Sequence, residues 1–499
     1  MDNRPLTFDK ELQPVIKKLM SLVIYNTFTG KKEEFVPASP GQVKCYVCGI
    51  TVYDHSHVGH ARSVIVFDVI YRYLAGLGYE ITYVRNFTDI DDKIINRANA
   101  ERTDWKEIAE TYIASFKQDM AGLGVVPPTY EPKATDHIPD MIRFIEKLME
   151  RGYAYQVDGS VYFSVRKYDG YGKLSGRSLE EMIAGARVEV DERKQDPLDF
   201  ALWKESKPGE PSWVSPWGKG RPGWHIECSA MSTKYLGNPF DFHGGGKDLV
   251  FPHHENERAQ TECATGKKFV NYWVHNGFVT MQREKMSKSI GNIRTIKEFL
   301  KEYHPEVLRL FFLSTHYRNP IDYTEQSLEN AQSALQKLYF TLERIREVPK
   351  AGVAASTQAS YPELQDLEKK FHEAMNDDFN TALGLSAVFD LARVLNRMVD
   401  ELDESNRPAL AHGEQLLTSI GSTLGLLGEE TAAFGRGETL RQLMRVGLDE
   451  AAVQKAIEDR SDARKRKDYK GADAIRTMLL EKGIILLDTP NGTTWRAKL

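Results

Sequence analysis

The chain has 499 residues, 41% of them apolar, and 66 Lys and Arg against 71 Asp and Glu give a formal net charge of −5. At roughly 150 residues per domain this is material for about three packed domains, which excludes a single small module. The near balance of charge and the apolar content also exclude a disordered chain and a basic nucleic-acid coat.

No stretch reaches the roughly 18 to 20 consecutive apolar residues that span a bilayer. The N-terminal segment has no apolar run and carries Asp2, Asp9 and Glu11, which argues against a secretory or transit signal, so the expected compartment is the cytoplasm. In a reducing compartment Cys45, Cys48, Cys228 and Cys263 make no disulfide framework. Each is a small buried residue, a catalytic thiol or a metal ligand.

Taken in chain order, β-branched residues at Val43, Val47, Ile50 and Val52 predict a strand, and helical spacing follows Gly59 at Val66, Ile70 and Tyr73. Strand-like residues return at Ile81-Thr82-Tyr83-Val84 after a break at Gly76-Leu77-Gly78. Strand, helix, strand is the unit of a parallel sheet, and a nucleotide-binding α/β domain is the expected architecture. From about Val125 to Gly223 the texture becomes mixed and punctuated by Gly and Pro, and sheet material resumes at Phe240-Asp241-Phe242. The α/β domain is therefore expected to be split by an insertion. Beyond Pro362 two helical faces, Leu364/Leu367/Phe371/Met375 and Leu385/Val388/Ala392/Leu395, predict a helical bundle. A loose stretch from Gly425 to Gly437 is expected to separate a small C-terminal mixed α/β unit, with a hairpin turn at Asn491-Gly492.

His57-Val58-Gly59-His60 falls where the first strand passes into the first helix. Unpaired N–H groups and the positive end of the helix dipole attract phosphate there, two imidazoles add donors, and Gly59 lets a nucleotide approach. By itself this pair of histidines is only moderately specific. Lys285-Met286-Ser287-Lys288-Ser289 lies about 225 residues downstream in a polar loop followed by Gly291-Asn292. Its lysines suit charge that builds on a triphosphate, though a solvated basic turn has the same composition. In Pro252-His253-His254-Glu255-Asn256-Glu257, His253 and Glu257 are spaced i, i+4, so a helix opened by Pro252 would put imidazole and carboxylate on one face. Cys45 and Cys48 resemble half of a zinc knuckle, but no second C-x-x-C exists, and on a strand the two point to opposite faces. Cys48 is the better candidate, because it adjoins the strand's C-terminal end, where open α/β sheets bind ligands.

The two motifs, in this order on a split α/β domain, resemble those of the class I aminoacyl-tRNA synthetases. The strings Tyr46 to Asp54, Trp224 to Ser229, His243 to Gly246 and Phe251 to Glu257 resemble the cysteinyl-tRNA synthetases within that class, and the likeness runs from about Ile24 to Trp495. One small departure is Val58, where the motif more often has isoleucine.

The resemblance implies ATP-dependent ligation of L-cysteine to tRNA(Cys) through a cysteinyl-adenylate, in a monomer that does not engage a membrane. His57, Gly59 and His60 would bind ATP, and His57, His60, Lys285 and Lys288 would act in catalysis, with Lys288 also on the nucleotide. Cys48, Cys228, His253 and Glu257 would hold one Zn2+, Mg2+ would accompany ATP, and Cys45 and Cys263 would be small buried residues. Gly49, Thr88, Trp224 and His243 would line the substrate pocket. Arg464, Tyr469, Asp473 and Asp488 would read the anticodon, although the basic run around Tyr469 is also the composition of a solvated helix face. The expected organisation is an extension over 1–23, catalytic halves over 24–124 and 224–320 around an insertion over 125–223, a bundle over 321–425 touching the tRNA stem, and an anticodon-binding unit over 438–499. Two rivals are a relative that passes activated cysteine to an amino sugar, against which the chain after about 362 speaks, and a zinc-stabilised nucleic-acid binder without catalysis.

Overall fold

The structure is a computed structural model that describes residues 21–185, 193–281, 284–285, 294–348, 361–404, 406–489 and 492–497. A short antiparallel hairpin, β1 (Val23–Asn26) with β2 (Lys31–Glu34), comes first. The expected unit follows: β3 (Gln42–Thr51), α1 (Val58–Gly76) and β4 (Glu80–Thr88), with the two strands parallel. Alternation along β3 sends Val43, Cys45 and Val47 into one apolar cluster and Tyr46 and Cys48 towards another, so the two cysteines do take opposite faces. α1 is apolar around most of its circumference and is buried around most of it.

α2 (Asp92–Glu101) and α3 (Trp105–Gly122) precede the insertion, which holds α4 (Ile138–Glu150), β5 (Ala154–Val157), β6 (Ser160–Phe163), α5 (Leu179–Gly185), β7 (Phe200–Glu205), β8 (Trp213–Ser215) and β9 (Gly218–Pro222). Its five strands form an antiparallel sheet in the order β5-β6-β7-β9-β8. The first domain then resumes with α6 (Trp224–Leu236), β10 (Phe240–Gly246), α7 (Glu255–Thr265) and β11 (Val270–Asn276). Both halves complete one parallel sheet in the order β11-β10-β3-β4, the split Rossmann-like arrangement expected.

A small sheet of β12 (Val279–Met281), β13 (Glu284–Lys285) and β14 (Ile321–Asp322) surrounds α8 (Ile296–Glu302) and α9 (Pro305–Leu313) in sequence. The bundle comprises α10 (Glu325–Glu347), α11 (Pro362–Asn376), α12 (Thr381–Asp400) and α13 (Arg407–Leu424), and both apolar faces read from the sequence are buried in it. One expectation fails. Residues 431–437 were expected to be loose, but they open a helix, α14 (Thr431–Arg445). Packing overrides the poor helix propensity of Gly435 and Gly437: Phe434 stacks on Tyr339 with ring centroids 3.7 Å apart, and Glu438 accepts from Gln332 and Gln336. α15 (Glu450–Lys465), α16 (Tyr469–Glu481) and the hairpin β15 (Ile484–Thr489) with β16 (Gly492–Ala497) complete the chain around their own small core. Thr489 pairs with Gly492 as the expected hairpin requires, while Asn491 lies outside the described residues.

The sheet and α1 meet with little clearance: a Cβ at Gly244 would sit 2.2 Å from the Phe67 ring. Gly244→Ala is expected to lower stability by about 1–3 kcal/mol through overpacking, read as a lower melting temperature.

Candidate metal centre and active site

The strand β3 does not run straight into the site. Its register with β4 shifts between Val47 and Ile50, a bulge that spans Cys48 and Gly49. Gly49 fits because its backbone lies against β4: a Cβ there would stand 1.6 Å from the Asn86 carbonyl oxygen. The Asn86 side-chain oxygen accepts from Gly49 N–H at 2.9 Å and lies 3.7 Å from the Cys228 sulfur. The bulge lies at Cys48, which faces α6 and α7.

Three other expected ligands meet it there. Cys48 Sγ is 3.7 Å from Cys228 Sγ and 3.3 Å from Glu257 Oε1, and His253 Nε2 is 2.9 Å from the same oxygen. The ligand atoms of all four lie within 4.8 Å of one another. Bonds of about 2.3 Å to sulfur in tetrahedral zinc place two sulfurs about 3.7 Å apart, so the donor set fits such an ion. The helix start differs from expectation, since Phe251 is non-helical and regular α-helix begins at Glu255, yet His253 and Glu257 still share one side.

At neutral pH two of the four donors, Cys48 and His253, carry protons. Burial, reinforced by Cys228 and Glu257, holds the Cys48 thiol well above its ordinary range. Burial also raises the Cys228 thiol, but hydrogen bonding from Cys48 and His253 outweighs this and brings it to about 6. Burial disfavours His253 as a cation, but Glu257 and Cys228 lift it to about 10; His243 and His253 hold Glu257 well below the usual carboxylate range against the same burial. A divalent ion would displace the protons of Cys48 and His253, so metal affinity falls as pH falls.

Glu257 also faces a second group. Its Oε2 is 2.8 Å from His243 Nε2, and Cys48, His243, His254 and Glu257 form an overlapping set within 4.8 Å. The first set has two sulfurs and the second has one, so a soft thiophilic ion favours the first. His254 Nδ1 lies 2.8 Å from His275 Nε2, while His243 Nδ1 and His254 Nε2 are buried without a partner. Burial pushes His254 and His275 towards neutrality.

The pocket residues divide. Trp224 stacks on His253 with centroids 4.2 Å apart and is 39% exposed, so it lines the opening. His243 is fully buried, stacked on Trp273. The Thr88 hydroxyl donates to Glu227 Oε2 at 2.7 Å, and Gly49 contributes backbone. Asp91, in the acidic run after Thr88, caps α2 through Lys93 N–H. Cys45 and Cys263 are buried and belong to neither candidate ligand set.

The start of α1, which carries His57 and His60, meets the residues that follow the lysine loop. His57 caps the N-terminus of α1, and the His57 and His60 rings stack at 3.7 Å, with His57 N–H donating to His60 Nδ1 at 3.3 Å. His57 bridges Thr295, Val58 N–H donates to Arg294 O at 3.0 Å, and Ile296 N–H donates to Ser56 O at 3.0 Å. The start of α1 is thereby stitched to the residues that follow the lysine loop. Lys285 lies on β13 opposite Thr280, and Lys288 is outside the described residues.

At the C-terminus, Asp488 receives Arg460 through both oxygens at 2.7 and 2.8 Å, with Arg464 3.6 Å away. That pairing, led by the Arg460 hydrogen bonds, holds Asp488 below the ordinary carboxylate range. Tyr469 is 63% exposed at the start of α16, and Asp473 lies on the same helix. Sequence reasoning missed Arg460, although it precedes Arg464 by one helical turn. It also missed Asn86 and His225; for His225 the signal was its position three residues before Cys228 on a helix.

Fold, motif positions and donor set together define a class I aminoacyl-tRNA synthetase. A family profile described as "tRNA synthetases class I (C) catalytic domain" matches residues 34–333, and one described as "DALR domain" matches 370–428. Cysteine--tRNA ligases of Geobacter sulfurreducens and Geobacter metallireducens are each 55% identical over 96% of this chain and 100% of theirs. The chain belongs to the cysteine–tRNA ligase family. Among solved structures, methionyl-tRNA synthetase of Mycobacterium tuberculosis with methionyl-adenylate superposes with a TM-score of 0.55 at 15% identity, covering 82% of this chain and 94% of that one. A LeuRS-tRNA-LeuAMS complex from Agrobacterium radiobacter gives 0.59 at 14%, covering 80% and 86%. At these identities the likeness is one of fold. Among the described residues no helix is long and apolar enough to cross a membrane.

His225 Nδ1 lies 2.9 Å from His253 Nδ1, and burial holds His225 well below the ordinary range, hence neutral. His253 therefore donates through Nδ1 and keeps Nε2 for the cluster. His225→Ala is expected to weaken zinc affinity roughly 10–100-fold, measured by chelator competition; unchanged affinity would show that the contact does not orient the ligand.

Proposed function

We propose that the protein joins L-cysteine to tRNA(Cys) in two steps. The cysteine carboxylate attacks the α-phosphorus of ATP, the bond to the bridging oxygen breaks, and pyrophosphate leaves a cysteinyl-adenylate. A hydroxyl of the terminal adenosine of the tRNA then attacks the acyl carbon, and AMP departs. The observation that carries this reading is the meeting of Cys48, Cys228, His253 and Glu257 within 4.8 Å, at the end of β3 that leads into the histidines at the start of α1.

Cys48, Cys228, His253 and Glu257 would hold one Zn2+, which supplies strong affinity for a thiolate and little for a neutral hydroxyl, so serine is refused at binding. The carboxylate of Glu257, shared between His253 and His243, is the donor best able to yield a position to the substrate sulfur. Trp224 closes over His253 and excludes water from the sulfur's entry. His57 and His60, with the backbone around Gly59, bind the phosphates at the positive end of α1. Lys285 and Lys288 hold the departing pyrophosphate together with Mg2+. Catalysis on this reading is positioning and charge stabilisation. Arg464, Tyr469, Asp473 and Asp488 would contact the anticodon; Asp488, held by Arg460, keeps lone pairs to accept from a base.

Cys48→Ser is expected to raise the KM for cysteine roughly tenfold or more and leave that for ATP nearly unchanged, measured by cysteine-dependent ATP–pyrophosphate exchange. Equal loss of both would make the metal structural. Lys288→Ala should slow adenylate formation by roughly 10²–10³ with cysteine affinity preserved, in a single-turnover assay. An unaltered rate removes Lys288 from the mechanism.

A further inference from the structure

α1 carries the histidine motif at its first turn and, three turns later, Asp68, a carboxylate with no role in the chemistry above. Asp68 is buried, at 2% exposure, and accepts from Arg72 Nε at 2.8 Å, from Arg309 on α9 and from Val126 N–H at 2.8 Å. Both arginines are buried too, and both continue to the far end of the bundle helix α13. Arg72 donates to Ser422 O at 3.2 Å and to Gly124 O at 2.8 Å; Arg309 donates to Leu424 O at 3.2 and 3.3 Å and to Leu123 O at 3.3 Å.

Ser422 and Leu424 lie in the last turn of α13, at the negative end of the helix dipole, where Ser422 O also accepts from Gly425 N–H at 3.1 Å. α13 stops at Gly425, with φ +66°, and a Cβ there would sit 2.1 Å from Arg309 Nη2. Just beyond, Leu427 N–H and Gly428 N–H donate to Glu306 on α9 at 2.8 and 2.9 Å, and the Tyr339 hydroxyl of α10 donates to it at 3.0 Å. Apolar contacts tolerate sliding, whereas guanidinium forks on carbonyls do not. The cluster therefore fixes one placement of the bundle end on the motif helix.

We propose that Asp68, Arg72 and Arg309 form a positioning linkage that sets the helical bundle against α1, and through it the rate of transfer to tRNA, without taking part in adenylate formation. The proposal rests on the reading that the bundle and the C-terminal unit hold the tRNA.

The test compares Arg72→Lys, which keeps a positive charge beside Asp68 but cannot serve Ser422 O and Gly124 O together, with Gly425→Ala, which displaces Arg309 from the bundle side. Cysteine-dependent ATP–pyrophosphate exchange is expected to stay within about twofold of wild type in both, while kcat/KM for tRNA charging falls roughly five- to thirtyfold. Parallel loss of both activities, or folding failure of both variants, would make the cluster merely structural and overturn the proposal. Charging at the wild-type rate in either soluble variant would do the same. Wild-type protein that forms adenylate yet charges no tRNA would overturn the functional reading, and this proposal with it.

Discussion

The contact between Gly49 and the Asn86 carbonyl is the constraint on which the site depends. Alternation along β3 points Cys48 to the face that α6 and α7 cover, and the bulge beside it shifts the register with β4. Any side chain at Gly49 would collide with the backbone of β4. The same Asn86 takes the Gly49 N–H and reaches the Cys228 sulfur, so one residue fixes the bulge and one of the donors it must meet. Sulfur, nitrogen and carboxylate donors come from three separate segments, β3, α6 and the start of α7, which the sheet holds convergent.

The electrostatics follow from burial. In an apolar interior, thiol, imidazole and carboxylate cannot all take their solution protonation states, and each one's state is set by its neighbours. Glu257 stays anionic because His243 and His253 flank it, and His253 is cationic because Glu257 and Cys228 flank it. Glu257 also acts on His225, His254 and His275, but burial outweighs it and leaves them neutral. Neutral imidazoles ring a charged centre: the hydrogen bonds they make orient the donors without adding charge that would repel a cation.

Much of this was legible in the sequence, for identifiable reasons. Cys45 and Cys48, three apart on a strand, had to face opposite ways, and they do. The faces led by Leu364 and Leu385 had to be buried, because helical periodicity leaves little choice. What escaped was set by contacts between distant segments. Nothing local marks the bulge at Gly49 or the Phe434 stack that keeps residues 431–437 helical despite two glycines. The pairing of Asp488 with Arg460 is equally non-local, joining residues 28 apart across a helix and a strand.

The separations themselves explain why the structure fastens its parts with buried charge as well as apolar surface. An insertion interrupts the parallel sheet, and the bundle returns to α1 only after some 350 residues, the span from Arg72 to Ser422. Apolar clusters bring such segments together but leave several registers close in energy. A buried carboxylate with a geometrically demanding guanidinium partner penalises every register but one, since a slip strands a charge away from water. Cys48 with Glu257 at one end of the β3–α1 unit, and Asp68 with Arg309 at the other, stand where such a penalty is most useful. The first holds the two parts of the parallel sheet in register around the donors; the second holds the bundle on α1.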